Sequence, residues 1–168
     1  MKKQLFILAL LVCIVATACK TQCPPLSDSQ KADIKAQILG LWEKITISIE
    51  KLDIEGYSSF ISSDEFIAMY VEARPYNSKT EITDTLRVWF SKRKSNVLEQ
   101  KTVNVTVLTE NLVLLDQVCN FQVNLKDDSI IRARDAISFI FKRGTAGWKI
   151  IHGHESWYQF PVCRQAGI

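Results

Sequence analysis

The fold of this chain is indicated most clearly by a stretch near its carboxyl end, Gly147 to Trp157, which reads GWKIIHGHESW. Isoleucine and tryptophan are frequent in it, as is typical of a β-strand. It also holds both histidines of the 168-residue chain. The stretch is therefore predicted to be a strand that carries several chemically versatile side chains.

Side chains of a strand alternate between its two faces. One face is predicted to carry Trp148, Ile150, His152, His154 and Ser156. The other is predicted to carry Lys149, Ile151, Gly153, Glu155 and Trp157. The two faces cannot both line one pocket, so the histidines and Glu155 are predicted to have different roles.

A strand-like segment at residues 129–142 precedes this stretch, and a turn at residues 144–146 would join the two as a hairpin. That register places Asp135 opposite Glu155, whereas a slip of two residues would change the partners and keep the faces. Because Gly153 has no side chain, an apolar slot is predicted beside it, bounded by Phe139, Ile151 and Trp157. An apolar slot with carboxylates at one end is typical of a small-ligand pocket.

The upstream half of the chain is predicted to be mainly helical. Apolar residues between Ser27 and Leu52 recur at steps of three and four, which predicts an amphipathic helix. A short helical turn, a strand at residues 65–71 and a second long helix at residues 79–97 follow, and the basic end of that helix, residues 92–94, is predicted to be solvated.

Most of the remaining chain is predicted to form strands, at residues 103–107, 112–123, 129–142 and 148–160. Helices first and hairpin-linked strands afterwards predict an α+β fold, with the helices packed on one face of an antiparallel sheet.

Two segments resemble the NTF2-like superfamily, especially its SnoaL-like branch and the association domain of calmodulin-dependent protein kinase. The first is the pattern Trp148-x-x-x-His152-x-His154-x-Ser156, after an arginine-containing strand and a glycine turn. The second is Leu52-Asp53-x-x-Gly56-Tyr57-x-x-Phe60, followed by Ser63-Asp64. The order of predicted elements from Ser27 to Phe160 is also similar.

The resemblance implies a cone-shaped domain in which a strongly curved sheet wraps against the long first helix and encloses a pocket. It implies a homodimer, but no single activity, because one fold supports many functions. In the kinase association domains, arginines occupy the positions of Phe139 and Glu155. Since this chain has neither arginine, the resemblance argues against an anionic ligand.

Asp135 and Glu155 are the catalytic candidates. Two carboxylates close together in a partly apolar cavity do not both ionise easily, so one can donate a hydrogen bond while the other accepts a proton. That arrangement suits proton abstraction beside a carbonyl. The alternative is a structural role, in which the carboxylates lie in water or pair with Arg132, Arg134 or Lys149.

Aromatic and apolar side chains from several predicted elements are the candidates for contact with a ligand. They favour an apolar or aromatic molecule with a polar group. The candidates are Trp42, Tyr57, Phe60, Tyr70, Trp89, Phe139, Ile151 and Trp157.

His152 and His154 are predicted to have a structural or interface role on the other face of the sheet. Two histidines at this spacing can ligate a metal when other ligands converge on them, but the chain has no third histidine. We therefore expect neither a metal nor another cofactor.

The amino terminus predicts where in the cell the protein is located. Lys2 and Lys3 precede an apolar run, Leu5 to Val15, that is too short to span a bilayer, which is typical of a signal peptide over residues 1–18. The end of this segment, Ala16-Thr17-Ala18-Cys19, resembles the bacterial lipobox. We therefore expect a lipid on Cys19, a tether at residues 19–26 and a domain at residues 27–168, in the bacterial cell envelope and facing an extracytoplasmic space.

Cysteine number and charge limit the other expectations. Cys23 and Cys163 are candidates for a disulfide, and Cys119 is predicted to be a buried apolar residue. Removing Lys2 and Lys3 lowers the formal charge from +3 to +1, which excludes a strong electrostatic case for nucleic acid.

Three functional hypotheses remain open. The first is a membrane-anchored domain that binds a small, mostly apolar ligand or serves as an assembly module. The second is an isomerase or hydro-lyase that uses Glu155 with Asp135 as general base and acid. The third is a scaffold that dimerises through its exposed sheet face and docks another envelope protein.

Overall fold

The computed structural model of the protein describes residues 25–160. The elements, in chain order, are α1 (Asp28–Glu50), α2 (Ile54–Ser59), β1 (Ala68–Val71), β2 (Arg74–Tyr76), α3 (Lys79–Ser91), β3 (Arg93–Thr109), β4 (Leu112–Leu125), β5 (Ile130–Gly144) and β6 (Gly147–Gln159). The predicted signal peptide, the lipidation site at Cys19 and the candidate cysteine pair, Cys23 and Cys163, lie outside the described residues.

The strands form one curved, unclosed sheet in the order β2-β1-β6-β5-β4-β3. The predicted α+β class is confirmed. Neighbouring strands are antiparallel except β1 and β6, which pair in parallel through Ala68 and His152 at one end and Val71 and Glu155 at the other. Sequence periodicity does not predict this pair, because the two strands are far apart in the chain and no hairpin joins them.

The first helix is fixed by its cap and by one apolar stripe. Ser27 and Gln30 form a capping box, in which the Ser27 hydroxyl accepts from the Gln30 backbone at 3.2 Å and the Gln30 side chain accepts from the Ser27 backbone at 2.9 Å. The buried stripe of α1, which includes Ile38, Trp42 and Ile45, covers the inner face of the sheet. The predicted helix from Ser27 to Leu52 is thus confirmed to within two residues.

The second long helix ends earlier than its apolar spacing predicted. Helix α3 ends at Ser91, and β3 begins at Arg93, which pairs with Leu125 of β4. Here pairing in the sheet outweighs local helical preference. The prediction that residues 92–94 form a solvated helix end is therefore wrong for Arg93, which is partly buried at the start of a strand.

In the closing hairpin, the side chains near Glu155 lie on the predicted faces of the sheet, whereas those near Trp148 do not. Ile150 pairs with Phe141 and His152 pairs with Ile140, so Ile151 is an extra residue in a β-bulge. The bulge reverses the alternation of side chains. Trp148 and Ile150 consequently pack in the core, and the prediction that they share a face with His152 and His154 is wrong.

The register of this hairpin also differs from the predicted one by the slip of two residues. Phe139 lies opposite Gly153, and Asp135 lies opposite Trp157. A Cβ atom on Gly153 would lie 2.6 Å from Cε1 of Phe139. The predicted open slot beside Gly153 is therefore wrong, because the Phe139 ring fills it.

Substitution of Gly153 tests this contact. Gly153→Ala is expected to lower the free energy of unfolding by about 1–3 kcal/mol, because the added methyl group overpacks the space held by Phe139. Gly40→Ala is the matched control, since Gly40 lies in α1 with no atom within 4 Å of its added Cβ. The control is expected to stabilise the protein by about 0.5–1 kcal/mol. Chemical denaturation measures both, and an unchanged midpoint for Gly153→Ala would contradict the packing.

Candidate functional site

A cavity of about 550 Å³ lies at one end of the inner face of the sheet. Strands β3 to β6 form its floor, and the end of α1, α2, the end of α3 and the hairpin β1–β2 contribute the rest of its wall. Its wall is mostly apolar and includes Leu86, Trp89, Phe121, Val123, Ile137 and Trp157.

The cavity lies at this end because the other end of the inner face is filled. Phe139 and Phe141 stand edge to face with centroids 6.3 Å apart, and Trp42 of α1 packs on Phe139 at 5.7 Å. Further along the same strands, Ile137 lies opposite Glu155 and Asp135 opposite Trp157. The two candidate carboxylates are thus diagonal neighbours on the cavity floor.

Within residues 25–160, neither carboxylate forms an ion pair with the basic residues that the alternative interpretation named. Asp135 is 5% exposed, and its Oδ1 atom has no hydrogen-bond partner among residues 25–160. Glu155 is partly buried. The basic side chains named as partners have other acceptors: Arg132 donates to Gln122, Arg134 to Asn120 and Lys149 to the Ser59 carbonyl.

Burial and the negative charges of neighbouring carboxylates raise the pKa of both carboxyl groups. Burial is the main cause for Asp135, followed by the charges of Glu155 and Glu72, and they raise its pKa to about 8. Burial raises the pKa of Glu155 to about 7, although the nearby Arg93 lowers it and Glu72 raises it. Near neutral pH, Asp135 is therefore mostly protonated and Glu155 is divided between its two forms.

The cavity has a further donor in Tyr57. This side chain is 5% exposed and lines the cavity from α2. Burial and the charges of Glu155 and Asp135 raise the pKa of the phenol. Tyr57 thus remains protonated and can donate a hydrogen bond to a ligand.

A strained turn holds Glu72 at the edge of the cavity. Glu72 and Ala73 join β1 to β2 with φ angles of 49° and 64°, which non-glycine residues seldom adopt. The Glu72 carboxylate accepts from the Trp157 backbone N–H at 2.6 Å, and the Glu72 N–H donates to the Glu155 carbonyl at 3.2 Å. These bonds join the turn to the strand that carries Glu155. Strained residues held in this way often occur at functional sites.

The cavity also carries positive charge, which the sequence analysis did not predict. Arg93 enters it from the start of β3, and Arg74 and Lys92 line it at exposed positions. Helix α3 ends before Arg93, and this early end directs the Arg93 side chain into the cavity. The apolar spacing of residues 79–97 did not indicate it.

The predicted ligand-contact residues divide into two groups. Tyr57, Trp89 and Trp157 line the cavity, together with Asp135 and Glu155. Trp42, Phe60 and Phe139 pack in the core or against it, Ile151 is the buried residue of the bulge, and Tyr70 is 39% exposed beside His152, with ring centroids 6.0 Å apart. These five residues do not line the cavity.

The two histidines lie on the outer face of the sheet, away from the carboxylates. His154 pairs with Ser138, whose hydroxyl donates to Asp116 at 2.6 Å. Within residues 25–160, no three His, Cys, Asp or Glu side chains are grouped to hold a metal ion. Cys119 is fully buried, as predicted, and burial raises the pKa of its thiol to about 11, which disfavours a reactive thiolate.

The raised carboxyl pKa values predict how stability depends on pH. Folding raises the pKa of Asp135 from 3.8 to about 8, so between these values the folded chain binds more protons than the unfolded chain. Stability is therefore expected to fall as pH rises through this window. Asp135→Asn should flatten the decrease in melting temperature between pH 5.5 and 8.5. Asp116→Asn, on the outer face, should keep the wild-type slope. A wild-type melting temperature that rises across this window would contradict the burial of the pair.

The family and the fold are shown by comparison with known proteins. Residues 38–161 match the family model of the SnoaL-like domain. The fold is similar to that of the hexachlorocyclohexane dehydrochlorinase LinA-type3 from Novosphingobium barchaimii LL02, with a TM-score of 0.69 and 15% identity over 84% of this chain and 99% of that one. A comparison with curated proteins finds no match.

Two other solved structures have the same fold. One is a proposed dehydratase of the NTF2-like family from Streptomyces avermitilis, with a TM-score of 0.65 and 15% identity over 74% of this chain and 96% of that one. The other is a proposed calcium/calmodulin-dependent protein kinase II association domain from Xanthomonas campestris, with a TM-score of 0.62 and 14% identity over 75% of this chain and 87% of that one. The predicted resemblance is confirmed: the chain belongs to the SnoaL-like family of the NTF2-like superfamily.

Proposed function

We propose that the cavity binds a small, mostly apolar molecule that carries a polar group. The observation that supports this most directly is an apolar cavity whose floor holds Asp135, a buried carboxyl group whose Oδ1 has no hydrogen-bond partner within residues 25–160. Its volume of about 550 Å³ lies within the range of ~300–1,000 Å³ for small-molecule sites.

The arrangement of polar groups supports recognition of one functional group on the ligand. A buried polar atom without a partner costs free energy, and a ligand atom that bonds to it recovers part of that cost. Asp135, Glu155 and Tyr57 can each exchange a hydrogen bond with such a ligand. Trp157 and Phe121, whose rings are 6.0 Å apart, offer an aromatic surface for the apolar part.

We also propose the cellular setting expected from the sequence, a lipid-anchored homodimer in the bacterial cell envelope. The lipobox-like residues 16–19 support the anchor. None of the helices within residues 25–160 has both the length and the hydropathy of a bilayer-spanning helix. The exposed tyrosines Tyr70 and Tyr158 support a second copy as the partner, because aromatic residues are enriched at interfaces.

Native mass spectrometry tests ligand, dimer and anchor together. The protein is extracted from its own cell envelope in a nonionic detergent and released in the instrument. We expect a mass of two chains, an acyl modification that is lost in Cys19→Ser, and a retained small molecule that dissociates at higher collision energy. An empty cavity in every preparation, together with failure to bind any small aromatic probe, would count against the binding function.

Proton transfer on the bound molecule is the second candidate function. Two neighbouring carboxyl groups whose pKa values lie near neutrality are the specific observation in its favour. Fold neighbours that carry out elimination, such as the dehydrochlorinase from Novosphingobium barchaimii LL02, show that the fold can support such chemistry. The activity proposed here is that of an isomerase or hydro-lyase.

The two carboxyl groups differ in a way that assigns their roles. The positive charge of Arg93 lowers the pKa of Glu155 and favours its ionised form, so Glu155 is the general base. Asp135 retains its proton at higher pH, so it donates a hydrogen bond to the carbonyl oxygen. Glu155 then removes a proton from the carbon beside the carbonyl. In an isomerase, Glu155 returns this proton to another carbon. In a hydro-lyase, a leaving group departs with its electron pair.

Hydrogen exchange on a simple ketone tests this second function. In D₂O, the wild-type protein is expected to accelerate deuterium uptake at the carbon beside the carbonyl of 2-tetralone, followed by NMR. Glu155→Gln should reduce the acceleration by about 10²–10⁴-fold, the usual contribution of a general base. Glu99→Gln, an exposed carboxylate outside the cavity, is the control and should have no effect. Binding of the ketone without any acceleration would reject catalysis and leave the binding function standing.

A further inference from the structure

The cavity contains a guanidinium group whose charge is not neutralised by an ion pair within the described chain. Arg93 lines the cavity and is partly buried. Among residues 25–160, ion pairs form elsewhere, for example between Arg87 and Glu55 at 2.8 Å, but none includes Arg93. Burial lowers the pKa of this guanidinium, and the charge of Glu155 offsets only part of that effect, so a cation in the wall of this cavity is costly without a further anionic partner.

The surrounding residues hold this guanidinium in place without neutralising it. Its Nη1 donates to Oδ1 of Asn96 at 3.2 Å, and its central carbon lies 5.3 Å from the centre of the Phe90 ring. Asn96 is itself 7% exposed and is fixed by a 2.9 Å bond from its Nδ2 to the Ile49 carbonyl. One face and one nitrogen of Arg93 are thus used for positioning, and its other N–H groups have no partner among residues 25–160.

The charges around the cavity also favour an anion. Arg74, Lys92 and Arg93 line it, against Glu72, Asp135 and Glu155. Burial keeps Asp135 largely protonated near neutral pH, and the Glu72 carboxylate already accepts from the backbone of Trp157. Positive charge therefore exceeds negative charge on the wall when Asp135 is neutral.

We propose that Arg93 binds an anionic oxygen group of the ligand, and that the ligand is a small apolar monoanion such as an aryl carboxylate. The planar guanidinium matches the two oxygens of a carboxylate. The apolar body would then extend along the floor toward Phe121, Ile137 and Trp157. This inference rests on the proposed binding function and specifies its ligand class.

Matched probes of one shape and two charges test the proposal. We would titrate 1-naphthoate and 1-naphthamide into the full chain in nonionic detergent at pH 6.5 by calorimetry, with the detergent alone as the blank. The wild-type protein is expected to bind 1-naphthoate at least about tenfold more tightly than 1-naphthamide. In NMR spectra, the indole N–H signals of Trp89 and Trp157, which line the cavity, should shift on binding. The indole N–H signal of Trp148 should not shift.

Variants of neighbouring basic residues identify the group responsible. Arg93→Gln should remove the preference for 1-naphthoate, so that the two probes bind with similar affinity. Lys94→Gln is the matched control, because Lys94 is exposed, pairs with Asp128 and does not line the cavity. Arg93→Lys keeps the charge and loses the planar fork, so it should give an intermediate preference. If circular dichroism shows that Arg93→Gln does not fold, Arg93→Lys tests the role of Arg93 instead.

The outcomes separate this inference from the function on which it rests. Equal binding of the two probes by the wild-type protein would overturn the anionic ligand class and leave a small-molecule cavity. A preference for 1-naphthoate that survives in Arg93→Gln would likewise overturn the role of Arg93. Binding of neither probe would contradict both the inference and the proposed function.

Discussion

The contact between Phe139 and Gly153 is the constraint on which the rest of the inner face depends. Because residue 153 has no Cβ, the Phe139 ring lies directly against the backbone of β6, where a methyl group would be 2.6 Å from it. Trp42 and Phe141 pack around the same ring. Side chains therefore fill this end of the inner face. The cavity that the curved sheet encloses lies at the other end, over Asp135 and Glu155.

The electrostatic character of the cavity follows from that division. Two carboxyl groups lie on an apolar floor, and burial is the largest cause of the raised pKa of each. Glu72 and Arg93 act on them in opposite directions: the negative charge of Glu72 raises both pKa values, and the positive charge of Arg93 lowers that of Glu155. The fold thus places two carboxyl groups with raised pKa values within one cavity. The raised pKa of each carboxyl group costs stability as pH rises above the group's ordinary pKa.

The family assignment and the proposals depend on different kinds of observation. Membership of the SnoaL-like family follows from a match over residues 38–161. The proposals about ligand and reaction instead depend on the side chains that line this particular cavity, since one fold supports many reactions. Arg93, Tyr57 and the two carboxyl groups are therefore better guides to the ligand than the three fold neighbours described above, which share 14–15% of their residues with this chain.

The sequence by itself determined the order of the elements apart from β2, the extent of the first helix, the burial of Cys119 and the shared face of Gly153, Glu155 and Trp157, because these depend on local periodicity. It also indicated Asp135 and Glu155 as a pair. Only the tertiary structure decided the bulge at Ile151, the filling of the Gly153 slot by Phe139 and the entry of Arg93 into the cavity. Each of these depends on pairing between strands, and a shift in pairing changes side-chain neighbours without any local signal in the sequence.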